Sequence, residues 1–233
     1  MFQSELKIEN NSKRIRKIIN RGVLVMNKKA LRDMSYGVYV VSTKDGNRDV
    51  GCVANSAMQI TSSPATVAVS INHDNYTNSC IAKSGVFAIS ILPESIDANV
   101  IGTFGFKSSR DIDKFATVAS VEKSGVKVIS DATAYMVCKV INTMETESHT
   151  VFLGEVTDAD VLNSATPMTY AYYHQVKKGT SPKNAPTYVE ETKEEKPKWK
   201  CTICGYTTDA ETLEDGYTCP ICGVPNELFK KED

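Results

Sequence analysis

Short runs of apolar residues, separated by turn-forming residues, repeat along most of the chain. The run 38–41 is β-branched and aromatic, and the turn 44–47 (KDGN) is typical of a hairpin that returns through 50–54. Similar runs follow at 66–71, 86–92, 126–129, 134–141 and 150–156. Because the predicted strands are many and short, the pattern predicts a mainly β protein built around a barrel.

Helical patterns are confined to short segments. Asn27 is a suitable cap for a helix through Leu31 and Met34, and two further helices are predicted at 78–83 and 96–103, both between strands. Between 177 and 200 the composition changes to Lys, Glu, Thr and Pro, and 189–198 is typical of a solvated linker. We therefore expect an extension at 1–25, a main domain at 26–188, the linker 189–198 and a small domain at 199–233.

Composition and charge narrow the functional classes. Of the 233 residues 41% are hydrophobic and 24% charged, and no apolar run approaches the roughly 20 residues of a membrane-spanning helix. Residues 1–25 lack the apolar core of a secretory signal, so we expect a cytoplasmic protein. The small domain has two basic and seven acidic residues from 201 to 233, which disfavours nucleic acid and suits a basic protein partner.

The extension 1–25 has six basic and two acidic residues and directly precedes Met26. Arg21-Gly22 can be encoded by AGGAGG-like codons a short way upstream of that Met. We hypothesise that translation begins at Met26; the alternative is a genuine basic arm. The intact mass of the native protein distinguishes the two.

Four of the seven cysteines form two CxxC pairs separated by fourteen residues. Paired CxxC turns direct four sulfurs at one metal, and backbone N–H groups in such turns stabilise the thiolates. A small domain of this size also needs a metal cross-link to fold. The predicted ligands are Cys201, Cys204, Cys219 and Cys222. The other cysteines, Cys52, Cys80 and Cys138, lie among apolar or small residues and are predicted to be buried fillers.

The small domain resembles rubredoxin, with a spacer closer to that of the rubredoxin-like segment of rubrerythrins. The resemblance covers nearly all of 199–230 and includes the aromatic residues Trp199, Tyr206 and Phe229 as well as both cysteine pairs. It implies one iron ion on four cysteines. A structural zinc ribbon uses the same ligand geometry and is the alternative.

The segment from Met26 to about Tyr188 resembles the flavin reductase-like, FMN-binding split-barrel family. The resemblance begins at 31–43 (LRDMSYGVYVVST) and continues at 51–57 (GCVANSA), which in this family runs beside the flavin. Asn55 and Ser56 offer an amide and a hydroxyl, and small neighbours allow close approach. The cofactor contacts expected from these segments and from 70–72 are Thr43, Val53, Ala54, Asn55, Ser56, Ser70 and Asn72.

Two further segments of the family carry candidate chemistry. In the loop 104–111 (FGFKSSRD), Lys107, Ser109 and Arg110 are suited to a phosphate dianion, although solvated charges at a helix start are the alternative. His149 matches a family position near the flavin and nicotinamide, and is the expected catalytic residue; a satisfied histidine at a strand end is the alternative. The chain has no dinucleotide or P-loop glycine motif, so NAD(P)H must dock against the flavin itself.

The whole chain resembles the high-molecular-weight rubredoxins of anaerobic bacteria, whose acceptor is typically a flavodiiron protein that reduces nitric oxide or dioxygen. We expect electrons to pass from NAD(P)H through FMN to iron and then to such an acceptor, in a homodimer by family analogy. One alternative is a flavin reductase that releases reduced FMN and has a structural metal domain. The other is a non-catalytic FMN-binding regulator with a zinc ribbon.

Overall fold

A seven-stranded antiparallel sheet dominates the protein. The computed structural model describes residue 31, residues 34–181, residues 185 and 187, and residues 199–210 and 212–231. The strand order is β2-β1-β5-β8-β9-β4-β3. Its strands are β1 Tyr39–Asp45, β2 Arg48–Ala54, β3 Ala57–Ser62, β4 Ala65–Asn72, β5 Val86–Ile91, β8 Ala134–Glu145 and β9 His149–Val161.

Smaller elements surround this sheet. A separate hairpin is formed by β6 Ser120–Lys123 and β7 Val126–Ile129. The helices in the described part of the chain are α1 Tyr76–Ser84, α2 Ala98–Phe106 and α3 Tyr170–Gln175, with a 3-10 turn at Lys114–Ala116. No helix in this part combines the length and apolarity needed to cross a membrane.

The chain itself closes the sheet. Its edge strands β2 and β3 are consecutive in sequence and are joined only by Asn55 and Ser56. A two-residue connection spans at most about 10 Å between the flanking Cα atoms, so the sheet must curl until its edges approach each other. The backbone N–H of Ser70 donates to the Ser56 carbonyl at 2.9 Å and holds the connection beside β4. We call this junction of β2, β3 and β4 the seam.

The interior of the curled sheet follows from strand alternation. Val67, Val69 and Ile71 of β4 point inward and pack with Phe87 and Phe152, both fully buried. Cys52, Cys80 and Cys138 are buried free thiols, which confirms their prediction as apolar fillers.

The C-terminal module is a three-stranded sheet with strand order β11-β10-β12. Its strands are β10 Trp199–Cys201, β11 Thr207–Thr208 and β12 Phe229–Lys231, with a 3-10 turn at Asn226–Leu228 before the last. Cys222 and Phe229 belong to one apolar cluster with Val100 and Phe104 of α2, so the C-terminal module and the main domain share a core. Ser35–Asp233 form one compact unit.

Most predicted elements are present, with shifted ends. The run 126–129 matches β7, whereas 134–141 and 150–156 are the starts and centres of longer strands. The helix predicted at 96–103 begins later because the Asp97 side chain caps it, accepting from the Asn99 N–H at 2.7 Å. The predicted helix at Asn27, the extension 1–25 and the linker 189–198 lie outside the described residues, apart from Leu31 and Met34.

Candidate flavin and metal sites

Four cysteine thiols converge in the C-terminal module. All four Sγ atoms lie within 4.8 Å of one another and all four residues are buried. Cys201 Sγ is 3.6 Å from Cys222 Sγ, and Cys204 Sγ is 3.4 Å from Cys219 Sγ. A tetrahedral ion with metal–sulfur bonds of about 2.3 Å places neighbouring sulfurs about 3.8 Å apart. The thiols therefore fit a single tetrahedral ion.

Two equivalent turns create this arrangement. The N–H of Gly205 donates to the Cys201 carbonyl at 3.0 Å, and the N–H of Gly223 donates to the Cys219 carbonyl at 2.8 Å. Both glycines have positive φ, 75° and 70°, which other residues adopt only with strain. The sequence CxxCG thus encodes each turn locally, and the module's sheet brings the two turns together.

Backbone amides favour the ionised form of these sulfurs. The pKa of Cys219 is lowered to about 5, first by a hydrogen bond from the Cys204 thiol and then, against burial, by the N–H groups of Ile221 and Cys222. The pKa of Cys204 is raised by the same thiol contact and by burial. Donors aimed at sulfur suit thiolates that bind a metal.

Aromatic side chains enclose the cysteines. The Phe229 ring lies edge-on to the rings of Tyr206 and Tyr217, with centroids 6.4 Å and 5.5 Å away. Trp199 packs partly buried against the same cluster. These contacts limit water around the sulfurs.

Polar groups expected to contact a flavin gather at the seam. Ser56 Oγ donates to Asn55 Oδ1 at 2.9 Å, and Asn55 Nδ2 donates to Thr187 Oγ1 at 2.9 Å. Ser70 lies beside Ser56 on β4, and the half-buried Val53 and Ala54 lead into the seam from β2. The structure therefore places the predicted segments 53–56 and 70–72 side by side.

His149 is paired with Asn72, two residues beyond Ser70 on β4. Its Nδ1 is 2.8 Å from Ser148 Oγ, whereas its Nε2 is buried without a hydrogen-bond partner among the described residues. Burial, and then the nearby His73, lower the pKa of His149. An unpartnered buried nitrogen costs free energy, so a bound group that supplies a partner fits this site.

The loop after α2 lies along the other part of β2. Lys107 and Arg110 are exposed. The Arg110 guanidinium lies 5.3 Å from the Tyr76 ring centroid, and Arg48 lies 5.7 Å from it. The Tyr76 hydroxyl donates to Asp45 at 2.7 Å, at the end of the β1–β2 hairpin. The candidate contacts thus form two groups, one at the seam and one near the hairpin.

Two predicted cofactor contacts have other partners in the structure. Thr43 is fully buried and its hydroxyl donates to the Val86 carbonyl at 2.7 Å. Ser109 is 3% exposed; its hydroxyl donates to the Gly51 carbonyl at 2.9 Å and accepts from the Gly51 N–H at 3.1 Å. Both side chains fix the backbone around the barrel, and neither presents its hydroxyl at the surface.

Lys114, which the sequence analysis did not select, supports the same strand. It is 2% exposed, and its Nζ donates to the carbonyls of Gly51 at 2.8 Å and Phe104 at 3.2 Å. Burial lowers its pKa to about 8. The ammonium therefore links the C-terminal end of α2 to β2, where helix carbonyls lack partners. The local sequence Asp113-Lys114-Phe115 does not predict that this lysine is buried.

Two parts of the chain match known protein families. Residues 31–181 match the flavin reductase like domain, and residues 199–230 match the rubrerythrin, rubredoxin-like domain. An NADH:FAD oxidoreductase from Streptomyces globisporus superposes with a TM-score of 0.56 at 29% identity, covering 63% of this chain and 90% of that one. Fold and site together define a flavoprotein oxidoreductase with a rubredoxin-like four-cysteine site for iron.

The chain belongs to the high-molecular-weight rubredoxin family. It is 41% identical to the high molecular weight rubredoxin of Moorella thermoacetica, over 88% of this chain and all of that protein. It is also 38% identical to a ferric-chelate reductase (NAD(P)H) of Archaeoglobus fulgidus, over 71% of this chain and 99% of that protein.

Proposed function

We propose that this protein carries electrons from NAD(P)H through FMN to one iron ion and then to a separate redox protein. The observation that carries the proposal is the packing of the four-cysteine module on α2 of the flavin domain. A relay needs its two centres close together. A metal module with a purely structural role needs no such contact with the barrel.

The two centres have complementary chemistry. NAD(P)H gives up a hydride, which carries two electrons, whereas a four-cysteine iron accepts one electron at a time. A bound flavin accepts the hydride and releases its electrons singly. Each NAD(P)H oxidised to NAD(P)⁺ thus reduces Fe³⁺ to Fe²⁺ twice and releases one proton, with the acceptor reoxidising the iron between the two transfers.

The seam is the proposed flavin site. Asn55, Ser56, Ser70 and Asn72 would bind and orient FMN, with Val53 and Ala54 against it. His149 would face the flavin and nicotinamide through its unpartnered Nε2. Lys107 and Arg110 remain the proposed phosphate contacts, since both are exposed cations on one loop.

The proposed acceptor is a flavodiiron protein or another redox protein with a basic docking surface. The described part of the metal module has four exposed carboxylates, at Asp209, Glu214, Asp215 and Glu227, against three exposed lysines, and the sequence from 201 to 233 has seven acidic residues against two basic ones. Such a surface steers a basic partner, and steering weakens with salt. The free cysteine thiols fit a reducing cytoplasm, where we place the protein.

We also infer a homodimer. Strand register places Met58 of β3 and Met144 of β8 on the outer face of the sheet, where they are 66% and 60% exposed. Ile60 and Ile141 add exposed apolar surface at bulges on the same strands. Light scattering should give twice the 25.5 kDa chain mass, and Met144→Glu should shift it towards the monomer. A wild-type mass of one chain would contradict the dimer.

The absorption spectrum of the purified protein, with elemental analysis, tests the relay at the level of its cofactors. Flavin bands together with ferric-thiolate bands and about one iron per chain are expected. Flavin with zinc in place of iron would contradict the relay. Rapid loss of reduced FMN during turnover would favour a flavin reductase that releases its product. A bound flavin that NAD(P)H does not reduce would favour a non-catalytic regulator.

A further inference from the structure

Helix α2 and the second cysteine turn approach each other at backbone distance. A Cβ added at Gly102 would lie 2.8 Å from both Cα and O of Cys222, and 2.9 Å from its Cβ. Real Cβ atoms essentially never come closer than about 3.0 Å to such neighbours. Gly102 has an ordinary helical position, so its missing side chain is required by this contact and not by its backbone conformation.

The first cysteine turn has its own contact with the flavin domain. The Thr180 hydroxyl donates a hydrogen bond to the Cys204 carbonyl. Thr180 is held in turn by the Tyr173 hydroxyl, which donates to its carbonyl at 3.2 Å. Tyr173 is 4% exposed within the shared apolar cluster. Both cysteine turns are therefore fixed against the flavin domain. The second turn is fixed by its close approach to Gly102, and the first by the hydrogen bond from Thr180.

The same helix also contacts the strand that leads to the proposed flavin site. A Cβ at Gly105 would lie 3.7 Å from Val53 Cβ, on the strand that enters the seam. Gly102 and Gly105 are separated by about 4.5 Å along the helix axis, at 1.5 Å per residue. A single helix thus contacts both the cysteine turn and the flavin strand.

A hydrogen-bonded route joins the same two places. Asn55 donates to Thr187, and Thr187 Oγ1 donates to the Tyr170 hydroxyl at 2.6 Å. Tyr170 is in turn hydrogen-bonded to Ser181, the neighbour of Thr180. The seam and the Cys204 carbonyl are therefore connected through the segment that follows α3.

We propose that Gly102, with Thr180, is a positioning site that docks the metal module on the flavin domain, and that electrons pass from flavin to iron in this docked state. The inference deepens the proposed relay and rests on it. Gly102 has no side chain that could bind a cofactor; it acts by allowing Cys222 to approach.

The test compares Gly102→Ala with Gly105→Ala in the full-length protein. Both changes add one methyl group and replace a helical glycine by a stronger helix former. Only the methyl at position 102 clashes with Cys222, whereas that at 105 makes ordinary van der Waals contact. Thr180→Val provides an independent variant that removes the hydrogen bond to Cys204 without adding volume.

Two measurements are made on each variant. In stopped-flow absorbance with NAD(P)H, Gly102→Ala should slow iron reduction by roughly tenfold or more, since small misplacements of reacting groups have large effects, while flavin reduction stays near the wild-type rate. In hydrogen exchange, peptides from α2 and from the turn at 219–223 should lose protection. Gly105→Ala should resemble wild type, and Thr180→Val should show a smaller change in the same direction.

The outcomes separate this inference from the relay itself. If Gly102→Ala keeps both wild-type iron reduction and wild-type protection, the docking site is refuted while the relay stands. Loss of protection with an undiminished transfer rate would also refute it, because transfer would then proceed by tethered diffusion. If iron in the wild-type protein is not reduced at all, the proposed function fails instead.

Discussion

Replacing the buried Lys114 by methionine tests how the flavin strand is supported. The substitution keeps the apolar stem but removes the ammonium that binds the carbonyls of Gly51 and Phe104. Gly51 retains its bond from Ser109, so Phe104 is the acceptor left without this donor. An unsatisfied buried carbonyl costs about 1–3 kcal/mol of folding free energy.

Burial of the Lys114 charge lowers the folding stability and so opposes the stabilisation by its hydrogen bonds. Its pKa falls from the ordinary 10.5 to about 8 through burial, which corresponds to about 3 kcal/mol, at 1.36 kcal/mol per unit. This penalty is complete below pH 8, where the folded protein holds the proton. It disappears between pH 8 and 10.5, where the unfolded chain binds more protons than the folded one.

The two contributions nearly cancel at pH 7, so Lys114→Met should then be within about 2 kcal/mol of wild type. On raising the pH to 10.5, the wild-type stability should gain about 3 kcal/mol over that of the variant. Urea unfolding followed by far-ultraviolet circular dichroism at several pH values measures this difference. The exposed Lys83→Met is the control for removing a lysine charge at the surface.

If the difference in unfolding free energy between Lys114→Met and wild type stays constant from pH 7 to 10.5, burial does not perturb this amine. A wild-type stability that falls relative to that of the variant as the pH rises would show that the fold favours the charged amine. Either result would refute the view that Lys114 links α2 to β2 at the expense of a buried charge.

Three further predictions concern the sites. Arg110→Ala should weaken FMN binding, measured by fluorescence titration. Arg48→Ala, which removes the other cation over Tyr76, is the control and should have a smaller effect. Equal FMN dissociation constants for Arg110→Ala and wild type would place the phosphate elsewhere. Since the pKa of His149 is lowered, flavin reduction by NAD(P)H should slow only below about pH 6.5. His149→Gln should abolish this loss of rate at low pH. A loss of rate that persists in the variant would exclude His149 as its source. Cys222→Ser should remove the ferric-thiolate bands while flavin reduction continues, and loss of both activities would contradict separate roles for the two centres.

The metal site was predictable because its determinants are local. Each CxxCG turn contains its own ligands and its positive-φ glycine, so spacing alone indicates convergence. Strand β3 was not predicted, because Met58 and Ile60 are exposed on a polar edge strand without an inward apolar pattern. Seam residues such as Asn55 were proposed as flavin contacts through family resemblance alone, since a polar pair between strands is indistinguishable from an ordinary turn.

Long-range contacts account for the remaining differences. Ser109 has the residue type of a phosphate ligand, and only its tertiary contact with Gly51 shows that its hydroxyl is used within the fold. Gly102 lies in an unremarkable helical segment, and its close approach to Cys222 joins positions 120 residues apart. No local pattern encodes such a contact, so the docking of the metal module required the structure.

The most direct test of the relay is stopped-flow absorbance of protein stripped of FMN but still carrying its iron. Because a hydride can be delivered only to the flavin, NADH should leave the ferric-thiolate bands unchanged, and adding FMN should restore their bleaching. Bleaching by NADH at an undiminished rate in the FMN-free protein would contradict the proposed order of electron transfer.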